Sequence, residues 1–153
     1  LAHSSQVKVI LDHNRIMNTT TSHEKDLMKN AIPLVDFYLP SKEEVLDLFD
    51  ITSLDDAIDT LKGITKNVVV IKDAENGAIG IKAGKIVNVP AYSITVRNSI
   101  GAGDSFNAGF IKALDEGKAF EDCIRYACAT AAIKISSDGF PTQASVGKLI
   151  NNT

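Results

Sequence analysis

Tryptophan is absent from the chain, and cysteine, methionine, proline and histidine are each rare: two, two, four and three residues out of 153. Cys123 and Cys128 stand five apart on a predicted helix, so their side chains point in different directions and a local disulfide is not expected. Two thiols make no disulfide framework, and the expectation is a protein of the reducing cytoplasm. A large excess of either charge is also missing: 16 Lys+Arg oppose 19 Asp+Glu, a net charge of -3. Nucleic-acid binding needs a basic face, so no nucleic-acid partner is expected. No apolar run approaches the ~20 residues of a membrane-spanning helix. Nor does a charged-then-apolar leader open the chain, so no membrane partner is expected. His3, His13 and His23 share no metal-ligand spacing with the cysteines and read as surface or turn residues.

What is present is a soluble-type composition, 44% hydrophobic and 23% charged, long enough for one domain over 1–153 with its own core. The first residue is Leu1 rather than Met, which suggests a portion of a longer chain. Strand and helix signals alternate. Val7 to Leu11 reads as a short strand that runs into Asp12-His13-Asn14-Arg15. Capping boxes at Thr21-x-x-Glu24 and Ser41-x-x-Glu44 open helices, Pro33 ends the first, and Leu34 to Leu39 is a second strand. Ser53 caps a helix that Gly63 is expected to stop. Asn67 to Lys72 is apolar on both faces, as a central parallel strand would be. Gly77 to Ile81 and Lys85 to Val89 form a hairpin. Helices follow over about 102–116, from Phe120, and over about 143–150. The class is α/β with a mostly parallel sheet.

The chemistry lies in Asn98-Ser99-Ile100-Gly101-Ala102-Gly103-Asp104-Ser105-Phe106. Two glycines around a small residue, just before a helix, let backbone N–H groups gather on an anion where the helix dipole also favours one. A carboxylate at Asp104 would repel a phosphate resting on it. It fits if it faces an attacking hydroxyl while the amides hold the phosphoryl group in transfer. Taken alone, Gly-x-Gly-Asp reads equally as a helix start, with Asp104 complementing the helix N-terminus. Asn14 and Arg15, at the C-terminal end of a strand, are positioned to reach a sugar or phosphate, and read equally as a polar loop.

The run Gly101-Ala102-Gly103-Asp104-Ser105-Phe106-Asn107-Ala108-Gly109-Phe110 resembles the C-terminal signature of the ribokinase-like (PfkB) carbohydrate kinases. Asp12-x-Asn14-Arg15, Tyr38-Leu39-Pro40 with Glu44, Val68 to Gly77 and Tyr126 to Gly139 resemble further segments of that family in the same order. The resemblance implies the C-terminal part of a three-layer ribokinase-like sandwich, the nucleotide-binding and catalytic half, with the N-terminal substrate and lid half not included. It implies ATP-dependent phosphorylation of a sugar or sugar acid, with Mg²⁺, a possible K⁺, and a homodimer at full length. Asp104 is then the general base and touches the substrate, and the Gly101, Ala102 and Gly103 backbone is the anion hole. Lys72, Ala74, Gly77 and Gly103 line the ATP, Cys128 lies near the adenine, and Asn14 and Arg15 meet the substrate. Glu44 serves Mg²⁺ through water. Asn98, Ile100, Ser137 and Gly139 surround the monovalent cation.

Three departures from the family pattern stand out, and the first and last motivate an alternative, a catalytically weak nucleotide-binding relative with a binding or regulatory role. Asn98-Ser99 stands where the family has Asp-Thr. Ser41 replaces an Asn. Lys72-Asp73-Ala74 replaces Thr-x-Gly, which puts Ala where positive φ would be costly.

Overall fold

The computed structural model describes residues 7–14, 17 and 19–152; Arg15 and His3 lie outside them. Five strands form one sheet in the order β1 (Ile10–Leu11), β2 (Phe37–Tyr38), β3 (Val68–Lys72), β4 (Ala78–Lys82), β5 (Lys85–Val89). β1 pairs with β2 and β2 with β3, both in parallel, with Ile10 opposite Phe37 and Phe37 opposite Val68. The helices are α1 (Ser22–Ala31), α2 (Lys42–Phe49), α3 (Leu54–Ile64), α4 (Ala102–Asp115), α5 (Phe120–Ser136) and α6 (Gln143–Asn151). No helix among the described residues is long and apolar enough to cross a membrane.

The chain forms two compact units, Leu1–Lys72 with Ile79–Ile86, and Asp73–Ala78 with Val87–Thr153. In the first, Val69 and Ile71 of β3 enter a buried cluster with Val45 and Leu48 of α2 and Ala57 and Leu61 of α3. Val70 between them is fully buried too, so β3 is covered on both faces as its unbroken apolar run predicts. In the second, α4 packs against α5 so closely that a Cβ on Gly109 would lie 2.5 Å from Thr130 Oγ1 and 3.0 Å from Ala127 Cα. The small residues of α5 allow that approach.

Local signals set most boundaries. Both capping boxes form: Glu24 Oε2 accepts from Thr21 N at 2.7 Å, and Glu44 Oε2 accepts from Ser41 N at 2.7 Å. The two-residue hairpin turn uses Ala83 (φ 51) and Gly84 (φ 77), the double positive φ that a tight right-twisted hairpin demands. Three expectations need correction. Gly63 does not stop α3, which continues to Ile64; the Thr65 N–H then donates to Leu61 O, and extended Thr65 ends the helix without any left-handed residue. The second strand is shorter than Leu34 to Leu39, because Pro33 sits in a 3₁₀ turn over Ile32–Leu34. β1 begins only at Ile10, since the Asp36 carboxylate takes the Val9 N–H at 2.9 Å. Cys123 and Cys128 are both buried and are not joined to each other by a disulfide.

Candidate active site

In the second unit, Gly101 immediately precedes α4 in the left-handed conformation (φ 78, ψ 11), which an L side chain rarely adopts. That turn fixes how the first amides of α4 are presented. The Ala102 N–H is spent on Ser99 O at 3.2 Å. The N–H groups of Gly101, Gly103 and Asp104 donate to no group among the described residues. The first-turn amides of any helix lack intrahelical partners, and their partial positive charge suits an anion. Of the three residues expected to form the anion hole, Gly101 and Gly103 keep open N–H groups, while the Ala102 N–H is engaged in the turn. The Asp104 side chain is exposed at the third position of the helix and enters no ion pair or hydrogen bond among the described residues. Nothing in its own unit commits that carboxylate to a structural task.

The turn Asp73–Gly77 in the same unit is closed by Asp73 N to Gly77 O and Asn76 N to Asp73 O, both 2.8 Å. Gly77 has φ 99 and ψ -123, and Ala74 has φ 44. The positive φ that would penalise a residue with a Cβ is thus present at Ala74, at a cost of ~1–2 kcal/mol. Replacing Ala74 by Gly relieves it while adding chain entropy to the unfolded state. We expect stability to hold or rise by up to about 1 kcal/mol in urea unfolding, where the same change inside a helix costs about 1. A clear loss would show the turn to be unstrained.

In the first unit, polar groups gather at the C-terminal ends of β1, β2 and β3, the usual ligand end of a parallel sheet. The parallel ladder continues past Tyr38 to a bridge between Ser41 and Lys72. The Lys72 ammonium lies 2.8 Å from Asp12 Oδ2, with both side chains largely buried. Asp12 Oδ1 accepts the Asn14 N–H at 3.2 Å, and Asn14 takes φ 57. His13 is half-buried rather than a surface residue: its ring stacks on Tyr38 and its Nδ1 is 3.0 Å from the Tyr38 hydroxyl. Burial holds the imidazole below its ordinary 6.5, against the Glu44 and Asp12 charges that favour protonation; Lys72 works with burial. Burial also pushes the Tyr38 phenol up, so its hydroxyl keeps its proton beside His13. The imidazole lies against the Glu44 main chain, yet its buried Nε2 closes no well-formed hydrogen bond.

The sign of the resulting pH dependence follows directly. The unfolded imidazole protonates near 6.5 while the folded one still resists, so His13's contribution is complete above pH 6.5 and is lost as pH falls below it. The urea midpoint should decline between pH 7.5 and 5.5, and His13→Phe should flatten that decline. Parallel slopes in the two proteins would remove His13 as the cause.

The remaining expected residues fall in the second unit. Asn98 Oδ1 accepts the Ile100 N–H at 2.9 Å, and Ser137 Oγ donates back to Ile133 O at 2.8 Å. Arg97 N and Asn98 N both donate to Ile135 O, which ties the segment before α4 to the end of α5. Gly139 is exposed and adjoins Asp138, whose carboxylate is held by Arg97 at 2.8 Å. Cys128 is buried on α5, and burial pushes its thiol up to about 12, so it is an apolar wall rather than a nucleophile. Sequence reasoning missed the Asp12–Lys72 pair, the His13–Tyr38 contact and the side chain of Lys134 beside Gly101.

A left-handed glycine that opens a long helix, unsatisfied amides and an uncommitted carboxylate are the features of an α/β protein suited to holding an anion. The chain belongs to the pfkB family of carbohydrate kinases, whose family model matches residues 2–145. It is 29% identical to the 5-dehydro-2-deoxygluconokinase of Bacillus licheniformis, over 98% of this chain and 49% of that protein. The fold matches the aminoimidazole riboside kinase of Salmonella enterica with a TM-score of 0.88 at 20% identity, over 99% of this chain and 54% of that one. It also matches a ribokinase II assignment from E. coli solved with ATP and Mg²⁺, with a TM-score of 0.86 at 22% identity over 99% and 51% of the two chains. The chain spans about half the length of the curated relatives it matches.

Proposed function

We propose that residues 1–153 are the nucleotide-binding and catalytic portion of a single-domain, cytoplasmic kinase that transfers the γ-phosphoryl group of ATP to a hydroxyl of a sugar or sugar acid. The observation that carries this reading is the pairing of unsatisfied Gly101, Gly103 and Asp104 amides with an unengaged Asp104 carboxylate on the first turn of α4. The amides stabilise charge on the phosphoryl group in transit. Asp104 accepts the proton of the acceptor hydroxyl as its oxygen bonds to phosphorus and the bond to ADP breaks. Asn14, Arg15 and Asp104 serve the acceptor in this reading. Lys72, Ala74, Gly77, Gly103 and Cys128 serve the nucleotide.

Mg²⁺ fits the carboxylate expected to serve it: Glu44 uses only Oε2 in its capping box, and Oε1 is left for a metal-bound water. Among the described residues no group of three His, Cys, Asp or Glu side chains forms a metal cage. A magnesium held mainly by phosphates and water asks for none. The ion would neutralise phosphate charge. Acceptor recognition beyond Asn14 and Arg15, and any homodimer contact, are assigned to the rest of a full-length protein.

A second reading, a nucleotide binder with little or no turnover, is favoured by the Lys72 ammonium being held by Asp12 and by the positive φ of Ala74. The two separate on full-length protein. Sugars and sugar acids, among them ribose and 5-dehydro-2-deoxygluconate, are offered with MgATP while ADP release and MgATP binding heat are recorded. Acceptor-dependent ADP release supports the kinase. Heat without turnover supports the binder, and neither would end both readings.

A further inference from the structure

Beside the proposed phosphate nest stands a cation that none of the foregoing uses. A Cβ built on Gly101 would lie 3.4 Å from Cε of Lys134, so the lysine stem, reaching over from α5, ends against the first residue of the nest. Its ammonium is one bond further on, 5.1 Å from the centroid of the Phe140 ring, which is itself 86% exposed. No carboxylate among the described residues lies within ion-pair distance of Lys134, whereas Lys112 and Lys118 of the same unit are both paired with Glu116. An exposed ring holds an ammonium only weakly, so an arriving phosphate can draw it away at little cost.

The side chains expected to serve a monovalent cation in this loop are neutral or already ion-paired. Asn98 Oδ1 is taken by the Ile100 N–H, Ser137 Oγ has turned to Ile133 O, and the Asp138 carboxylate is neutralised by Arg97. A neutral Asn98 gives an incoming potassium ion no charge to bind. The loop therefore offers a monovalent cation no uncompensated side-chain charge, and a protein cation already stands next to the nest.

We infer that the Lys134 ammonium is the fixed positive charge of the nest, contacting the phosphoryl group in transit and taking the place of a bound monovalent cation. The inference rests on the phosphotransfer reading above. A charge tethered to α5 costs no ion binding and is present at any salt composition.

The test uses full-length protein, with acceptor phosphorylation measured in potassium chloride and in choline chloride of equal strength. Wild-type turnover should agree within about twofold between the two salts. Lys134→Met should lose about 100-fold in kcat, comparable to removal of one donor from an oxyanion hole, and Lys134→Arg should recover most of it. Thermal melts of both variants establish that they fold. Wild-type turnover that requires potassium, or Lys134→Met turnover within threefold of wild type, overturns the role of Lys134 and leaves the kinase reading standing. A wild type that transfers phosphate to no acceptor overturns the kinase reading and this inference together.

Discussion

Asp104→Asn should lower kcat by about 10³-fold in the full-length protein while the melting temperature and MgATP affinity stay near wild type. Two roles compete for this carboxylate, and their magnitudes lie far apart. As a charge at the third position of α4, Asp104 complements the helix dipole, worth ~0.3–1 kcal/mol of stability and nothing in turnover. As the base that takes the acceptor proton, it is worth about 4 kcal/mol in the barrier, the equivalent of 10³-fold in rate. Asparagine keeps the shape and most of the hydrogen-bonding capacity but cannot hold the proton. The structure leaves Asp104 exposed and without an ion pair among the described residues, which is what a base needs and what a structural carboxylate usually lacks. A variant that turns over like wild type would remove Asp104 from the chemistry. One that unfolds would make it a helix-capping residue.

The second large effect is structural. Gly77→Ala should destabilise the protein by at least about 3 kcal/mol, which shifts the melting temperature down by roughly 6–12 °C for a chain of this size. Two independent penalties coincide there. The backbone has φ 99 and ψ -123, outside the regions open to an L residue. A Cβ would also fall 2.1 Å from Val89 O and 2.6 Å from Ala91 N, both backbone atoms with no rotamer through which to yield. Val89, Pro90 and Ala91 belong to the same unit as Gly77, so the clash is internal to it. Calorimetric unfolding reads the result, and a loss under 1 kcal/mol would mean that the turn reshapes freely. Ala74, three residues earlier, is the mirror case, because there the chain already carries a Cβ at positive φ.

Much of the architecture was legible from residues close together in the chain. Thr21 with Glu24 and Ser41 with Glu44 announce helix starts because each box satisfies amides within a single turn. Val68 to Ile71 announces a covered strand because no polar residue interrupts it. The glycine run before Asp104 announces a tight turn into a helix because backbone conformation is a local property. Gly63 misled for the complementary reason. A glycine permits a left-handed stop but does not impose one, and the hydrogen bond from Thr65 to Leu61 ended the helix instead.

Chain-local chemistry thus determined the order of elements, the glycine turn and the identity of its carboxylate. Tertiary structure alone decided which charges meet. Lys72 finds Asp12 sixty residues away because parallel pairing of β1, β2 and β3 aligns their ends. His13 is stacked on Tyr38 by the same alignment, and Lys134 reaches Gly101 because α4 and α5 pack side by side. Hydrogen bonds within a turn are set by the residues of that turn. Contacts across the sheet and between helices are set by register and packing, which no short stretch of sequence encodes.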